Sequence, residues 1–130
     1  VATTAPQLDT SVTEEKILAA VERIVEVANP VRIVAFGSRA RGDFRPESDL
    51  DLAVIVDQLD RGAKPPVTRG SLGGIAMSID LLVFERERHE RMAPWPGSVH
   101  YDIGREGVTL YDREVQHGVD SGVVGRLVGR

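Results

Sequence analysis

The sequence predicts an α/β (α+β) protein, a small β-sheet flanked by helices. Three observations carry that expectation. Ile17, Leu18, Val21, Ile24, Val25 and Ala28 recur at helical spacing. Residues 31–36 and 50–56 are short apolar runs rich in β-branched side chains, which read as strands. Helical and strand patterns then alternate along the chain, as they do when helices pack on a sheet.

Taken in order, residues 1–8 are small or polar with one proline, and 1–10 is expected to be a flexible arm. Ser11-x-x-Glu14 has the form of a capping box and opens a helix of roughly four turns. Glu15, Glu22, Arg23 and Glu26 form its polar face. Asn29-Pro30 ends it, because a residue before proline avoids the helical region. The strand at 31–36 stops at Gly37, and residues 38–41 suit a brief helical turn. Residues 42–48 read as a loop with Asp43, Pro46 and Ser48 as turn formers. The run at 50–56 is apolar at nearly every position, the pattern of a strand buried on both faces and central in its sheet.

Residues 57–74 contain Pro65-Pro66 and four glycines. So long an irregular stretch suggests either a flap or a hidden strand around Val67. Residues 75–84 form the third strand, interrupted by Asp80. Residues 85–92 are strongly charged and suit a solvated surface helix. Pro94-Trp95-Pro96-Gly97 breaks the chain, with Trp95 either a local anchor or a partner contact. Ser98 then starts a short helix that Gly107 stops. Residues 108–111 make a last strand, at an edge. Beyond Asp112, glycines at 118, 122, 125 and 129 favour a flexible tail over 113–130, with room for a fragment of helix. The folded domain is therefore expected over 11–112.

Composition narrows the function classes. A chain of 130 residues builds one modest core and leaves little for a second substrate domain. The net charge of −4 argues against broad electrostatic capture of nucleic acid, so direct nucleic-acid binding is not expected. There is no cysteine, which excludes disulfides and thiolate metal sites and fits a reducing compartment. No long apolar segment or basic-then-apolar leader is seen, so the expected location is the cytoplasm, without a membrane.

The chemistry concentrates in residues 37–56, GSRARGDFRPESDLDLAVIV. Asp49 and Asp51 are two apart, so on a strand they share one face. Carboxylates held this way repel unless a cation sits between them. Asp80 lies inside a separate apolar strand, where a lone carboxylate needs a partner. Three carboxylates around one or two Mg²⁺ ions are an apparatus for phosphoryl-type transfer, and the third can take the proton of an attacking hydroxyl. Gly37 lets the backbone approach a phosphate, and Ser38 adds a hydroxyl and an N–H. Arg39 and Arg41 are candidates to grip further phosphate oxygens. The competing readings are structural: Asp80 as an ion-pair partner of an arginine, and Arg39 and Arg41 as solvated surface residues. A P-loop is excluded, since no Lys-Ser/Thr follows Gly42. His89, His100 and His117 have no ligand spacing and are expected at the surface.

Gly37-Ser38, ten residues, then Asp49-Leu50-Asp51, with a later Asp80 in Ser-Ile-Asp-Leu, resembles the nucleotidyltransferases of the DNA polymerase β superfamily. Within it the match is to the minimal nucleotidyltransferase (MNT) proteins, and residues 104–111, GREGVTLY, resemble their usual ending. The resemblance implies a mixed sheet with flanking helices, a nucleoside triphosphate donor (usually ATP) and Mg²⁺. It implies Asp49 and Asp51 as the metal-binding pair, Asp80 as the third carboxylate, and Gly37 and Ser38 as the donor-phosphate turn. MNT proteins often pair with a HEPN-domain toxin as antitoxins, and some attach AMP to a tyrosine of the toxin. An oligomer with that partner fits this picture. Two alternatives stay open: an antitoxin that works by contact alone, and transfer to a small molecule such as an aminoglycoside. Residues 57–74 are longer than the short link the resemblance implies between those strands, and the tail is additional.

Overall fold

Thr13, not Ser11, begins the first helix. A capping hydroxyl must reach the N–H three residues on, and Thr13 Oγ1 accepts from the Lys16 N–H at 3.2 Å. The Ser11 N–H is instead taken by Asp9 Oδ1 at 2.9 Å. Helix α1, Glu14–Ala28, buries Ile17, Ala20, Val21 and Ile24. It closes at Asn29, which adopts a left-handed conformation (φ 43°) and returns its N–H to Val25 O. Asparagine tolerates that region better than most side chains.

The computed structural model describes residues 8–115 and 121–129. The expected arm over 1–7 and the tail at 116–120 and 130 lie outside the described residues. Strands β1 (Arg32–Phe36), β2 (Leu50–Val56), β3 (Ile79–Glu85) and β4 (Val108–Asp112) form a four-stranded sheet in the order β3-β2-β1-β4. β1 runs antiparallel to both β2 and β4, whereas β2 and β3 are parallel, so the sheet is mixed. β2 is internal and buried at nearly every position, and β4 lies at an edge, both as the apolar patterns predict.

The parallel pair explains the long segment after β2. Parallel neighbours cannot be joined by a hairpin and need a crossover of a dozen residues or more. Residues 57–78 are that crossover. They form no strand at Val67, which is buried against the core instead. A 3-10 turn at Arg69–Leu72 packs on α1, where Arg23 Nε donates to Ser71 O at 3.2 Å. β3 accordingly starts at Ile79, four residues later than its apolar run begins, where Leu50↔Ile79 opens the parallel register.

Alternation along β2 divides the core in two. Leu50, Leu52, Val54 and Val56 pack with α1, Val67, Leu72 and Leu110. Ala53 and Ile55 face the other way, onto Val34 and Ile103, with Phe36 and Phe84 at the margin. The first layer also contains Val124 and Leu127 of helix α5 (Ser121–Leu127), both fully buried. Residues 121–127 of the expected flexible tail are thus a packed helix. Its glycines lower helix propensity, but tertiary burial outweighs that local cost.

Helices α3 (Arg86–Met92) and α4 (Val99–Glu106) cover part of the second face. Ser98 caps α4 by accepting from the Tyr101 N–H at 3.1 Å, as expected. His89 and His100 are buried rather than at the surface, and their Nδ1 atoms stand 2.9 Å apart. One ring must therefore donate and the other accept, so at most one of the two can carry a charge. Burial pushes both imidazoles down; His100 and Arg32 add to it for His89, and Arg88 adds to it for His100. The folded state thus binds protons less readily than the unfolded chain. Stability is full above the ordinary histidine value of 6.5 and falls as pH drops below it. Thermal melts from pH 8 to 5 should show that acid limb, and His89→Gln, which cannot charge, should flatten it.

Candidate active site

Asp51 is the centre of the site. In the sheet it is the register partner of Phe36 on one side and Asp80 on the other. Neighbouring register positions point to the same face, so Asp51 and Asp80 stand side by side on the face that Ala53 and Ile55 continue. Asp49 precedes β2 with the same parity. The Ser78 hydroxyl donates to Asp49 Oδ1, and the Leu50 N–H donates to Ser78 O at 2.9 Å. Asp49 and Asp80 are exposed and Asp51 is half-buried.

Gly37 closes in from β1. It has φ 75°, and a Cβ built there would run into the Asp51 carboxylate, with Oδ2 far inside contact and Cγ at 3.0 Å. The chain turns there into the short helix α2, Gly37–Arg41, with Ser38 half-buried at its second position. Burial raises the Asp51 carboxyl above its ordinary value, and the negative charges of Asp80 and then Asp49 raise it further. Arg41 opposes this and Glu106 reinforces it. The ionised form of Asp51 is therefore short of positive charge.

Arg39 is a correction to the expected phosphate grip. It is only 3% exposed. Its Nε donates to Ser48 O at 2.9 Å, Nη2 to Pro46 O at 3.1 Å and Nη1 to Leu127 O at 2.9 Å. Its guanidinium also lies over the Phe44 ring at 4.6 Å. It pins the 42–48 loop and the end of α5, and it does not face the three aspartates with free donors. Arg39→Met is expected to destabilise the fold by about 2–4 kcal/mol, since three carbonyls lose their donor. Urea unfolding measures it. Lysine should not rescue, because one ammonium cannot replace a planar fork.

Arg41 is half-exposed. Its Nη1 meets Glu106 Oε1 and Oε2, both at 3.2 Å, and its Nε meets Asp43 Oδ2 at 3.3 Å. Glu106 also accepts the Gly37 N–H at 3.1 Å. Glu106 and Ser78 are the two site residues that sequence reasoning did not single out. Ser78 had one available signal, a polar residue just before an apolar strand that carries an aspartate. Glu106 had none beyond its place in the GREGVTLY ending.

Among the described residues, no three His, Cys, Asp or Glu side chains converge into a ready-made metal cage. Mg²⁺ does not require one: it is usually bound through one or two carboxylates, waters and substrate phosphates. The donor set here fits that requirement, with hard carboxylate oxygens on one face and a central carboxyl whose ionisation its neighbours oppose.

The chain matches the model of the nucleotidyltransferase domain family over residues 14–124 and belongs to that family. It is 31% identical over 80 residues to a Methanocaldococcus jannaschii protein named "Putative protein adenylyltransferase", covering 62% of this chain and 77% of that one. Its fold is similar to the crystal structure of "a putative nucleotidyltransferase from Sulfolobus solfataricus", with a TM-score of 0.50 and 20% identity. That likeness spans 82% of this chain and 88% of the other. The mixed sheet with flanking helices is thus a nucleotidyltransferase fold. Among the described residues no helix is long and apolar enough to cross a membrane.

Proposed function

We propose that this chain transfers a nucleoside monophosphate, AMP from ATP, to a hydroxyl on a partner protein. The observation that carries the reading is the placement of Asp51 beside Asp80 on one sheet face, with Asp49 two residues before Asp51 and Gly37 against it. The protein acceptor is supported by the name of the archaeal relative. The acceptor we favour is a tyrosine of a HEPN-domain toxin, with this chain as its antitoxin of the MNT type, acting in the cytoplasm.

Asp49, Asp51 and Asp80 would hold Mg²⁺, which supplies neutralisation of the triphosphate charge. Asp80, exposed on the edge strand β3, accepts the proton of the attacking hydroxyl. The acceptor oxygen bonds to the α-phosphorus, and the bond to pyrophosphate breaks. Ser38 and the Gly37 turn hold phosphate oxygens, and Arg41 adds its guanidinium. A groove along β3, walled by Asp80, Arg69, Thr68, Val67 and Pro65, offers the acceptor a place beside the aspartates.

The test is incubation with α-labelled ATP, Mg²⁺ and a HEPN-domain toxin encoded beside this chain. Label on a toxin tyrosine supports the reading. No label with any of the four nucleoside triphosphates sinks it. Neutralisation that survives Asp49→Asn with Asp51→Asn would assign the chain to contact inhibition.

A further inference from the structure

One carboxylate at the site is spoken for by the groups a donor needs. Glu106 is the last residue of α4, and its Oε1 accepts both the Gly37 N–H at 3.1 Å and Arg41 Nη1 at 3.2 Å. Its second oxygen also meets Arg41 Nη1 at 3.2 Å. Glu106 is mostly covered, whereas Arg41 is nearly half-exposed, so the pair opens onto solvent from the arginine side. Gly37 in turn touches the position of Asp51. An anion is thus already seated next to Asp51, on a backbone donor and a cation.

We infer that Glu106 sets the affinity for the donor nucleotide by competing with its phosphate oxygens for Arg41 and the Gly37 N–H. The inference rests on the nucleotidyl-transfer reading. A triphosphate carries more charge than one carboxylate and binds Arg41 more strongly. An ion pair exposed on one side is weak enough to exchange. Glu106 therefore holds the turn and the arginine in place beside Asp51 and yields them when the donor arrives. Glu106 is a positioning residue: it does not touch the reacting atoms.

Glu106→Gln separates this from a scaffold role, because glutamine still accepts the Gly37 N–H but no longer holds Arg41 by charge. ATP binding with Mg²⁺ is measured by titration calorimetry on the full chain. Glu106→Gln is expected to tighten ATP binding roughly threefold to fivefold, the size of a partly exposed ion pair. In an Arg41→Ala background the same change should bring no gain, since the competed group is gone. If Glu106→Gln melts early, Glu106→Asp replaces it. That carboxylate is one methylene shorter, which draws its oxygens back from both donors, and it too should tighten binding. A wild type that binds ATP, with variants that bind equally or more weakly, overturns the inference and leaves the transfer reading intact. If neither the wild type nor any variant binds a nucleoside triphosphate, both fail. Binding that appears only on Glu106→Gln supports the inference.

Discussion

Asp51→Asn is expected to lower nucleotidyl transfer by about 10³-fold while raising the melting temperature of the ligand-free protein. The loss of activity follows from its central position, since charge placed where the reaction needs it is worth factors of this order. The gain in stability follows from electrostatics. Burial, Asp80 and Asp49 raise the Asp51 carboxyl above its ordinary value of 3.8, so the folded state holds that proton more tightly than the unfolded chain. Stability contributed at this carboxyl is therefore present at low pH. It is lost as pH rises from the unfolded value through the raised folded one. At pH 7 the wild type carries an ionised carboxylate that its neighbours oppose, and asparagine does not. Melting curves of both proteins from pH 3 to 8 should converge at the acid end and separate toward neutrality. Adding Mg²⁺ should raise the wild-type melting temperature, by about 2.7 kcal/mol of stability at a hundredfold excess over its dissociation constant. It should do little for Asp51→Asn. A variant no more stable than the wild type at pH 7 would mean that the three aspartates do not oppose one another.

Gly37→Ala should be nearly as damaging, by a different route. The added methyl meets the Asp51 carboxylate, and it also forces a side chain into φ 75°. Either Asp51 or the turn must move. The expected cost is about 2–4 kcal/mol of stability, together with a loss of kcat/KM of about 100-fold from the displaced carboxylate. Gly42→Ala is the control. Gly42 also has a positive φ, 91°, but nothing lies within 4 Å of the added carbon. It should cost only about 1 kcal/mol and leave the rate unchanged. Equal kinetic effects at the two glycines would show that backbone strain, not contact with Asp51, is what matters.

Much of this architecture was written in local pattern. The buried run of β2 with its two aspartates, the Ser98 cap on α4 and the helical spacing of α1 depend on neighbours in the chain, so sequence alone indicated them. The capping residue of α1 was misplaced because Ser11 and Thr13 are chemically interchangeable. Only the first turn of the helix selects between them. Within the expected flexible tail, the sequence allowed only a fragment of helix where 121–127 packs: glycine content reports local propensity, and the burial of Val124 and Leu127 is a tertiary quantity.

The site divides along the same line. The sequence by itself determined the candidate groups: three carboxylates, a glycine turn, and the parity that puts Asp49 and Asp51 on one face. Only the tertiary structure decided which of those groups meet. The parallel register set Asp80 beside Asp51, the loop and α5 claimed every bonded nitrogen of Arg39, and α4 delivered Glu106 to Arg41. Strand parity is a property of the covalent chain and can be counted. Which guanidinium is buried and which is open depends on contacts between residues far apart in the chain, and folding alone settles those.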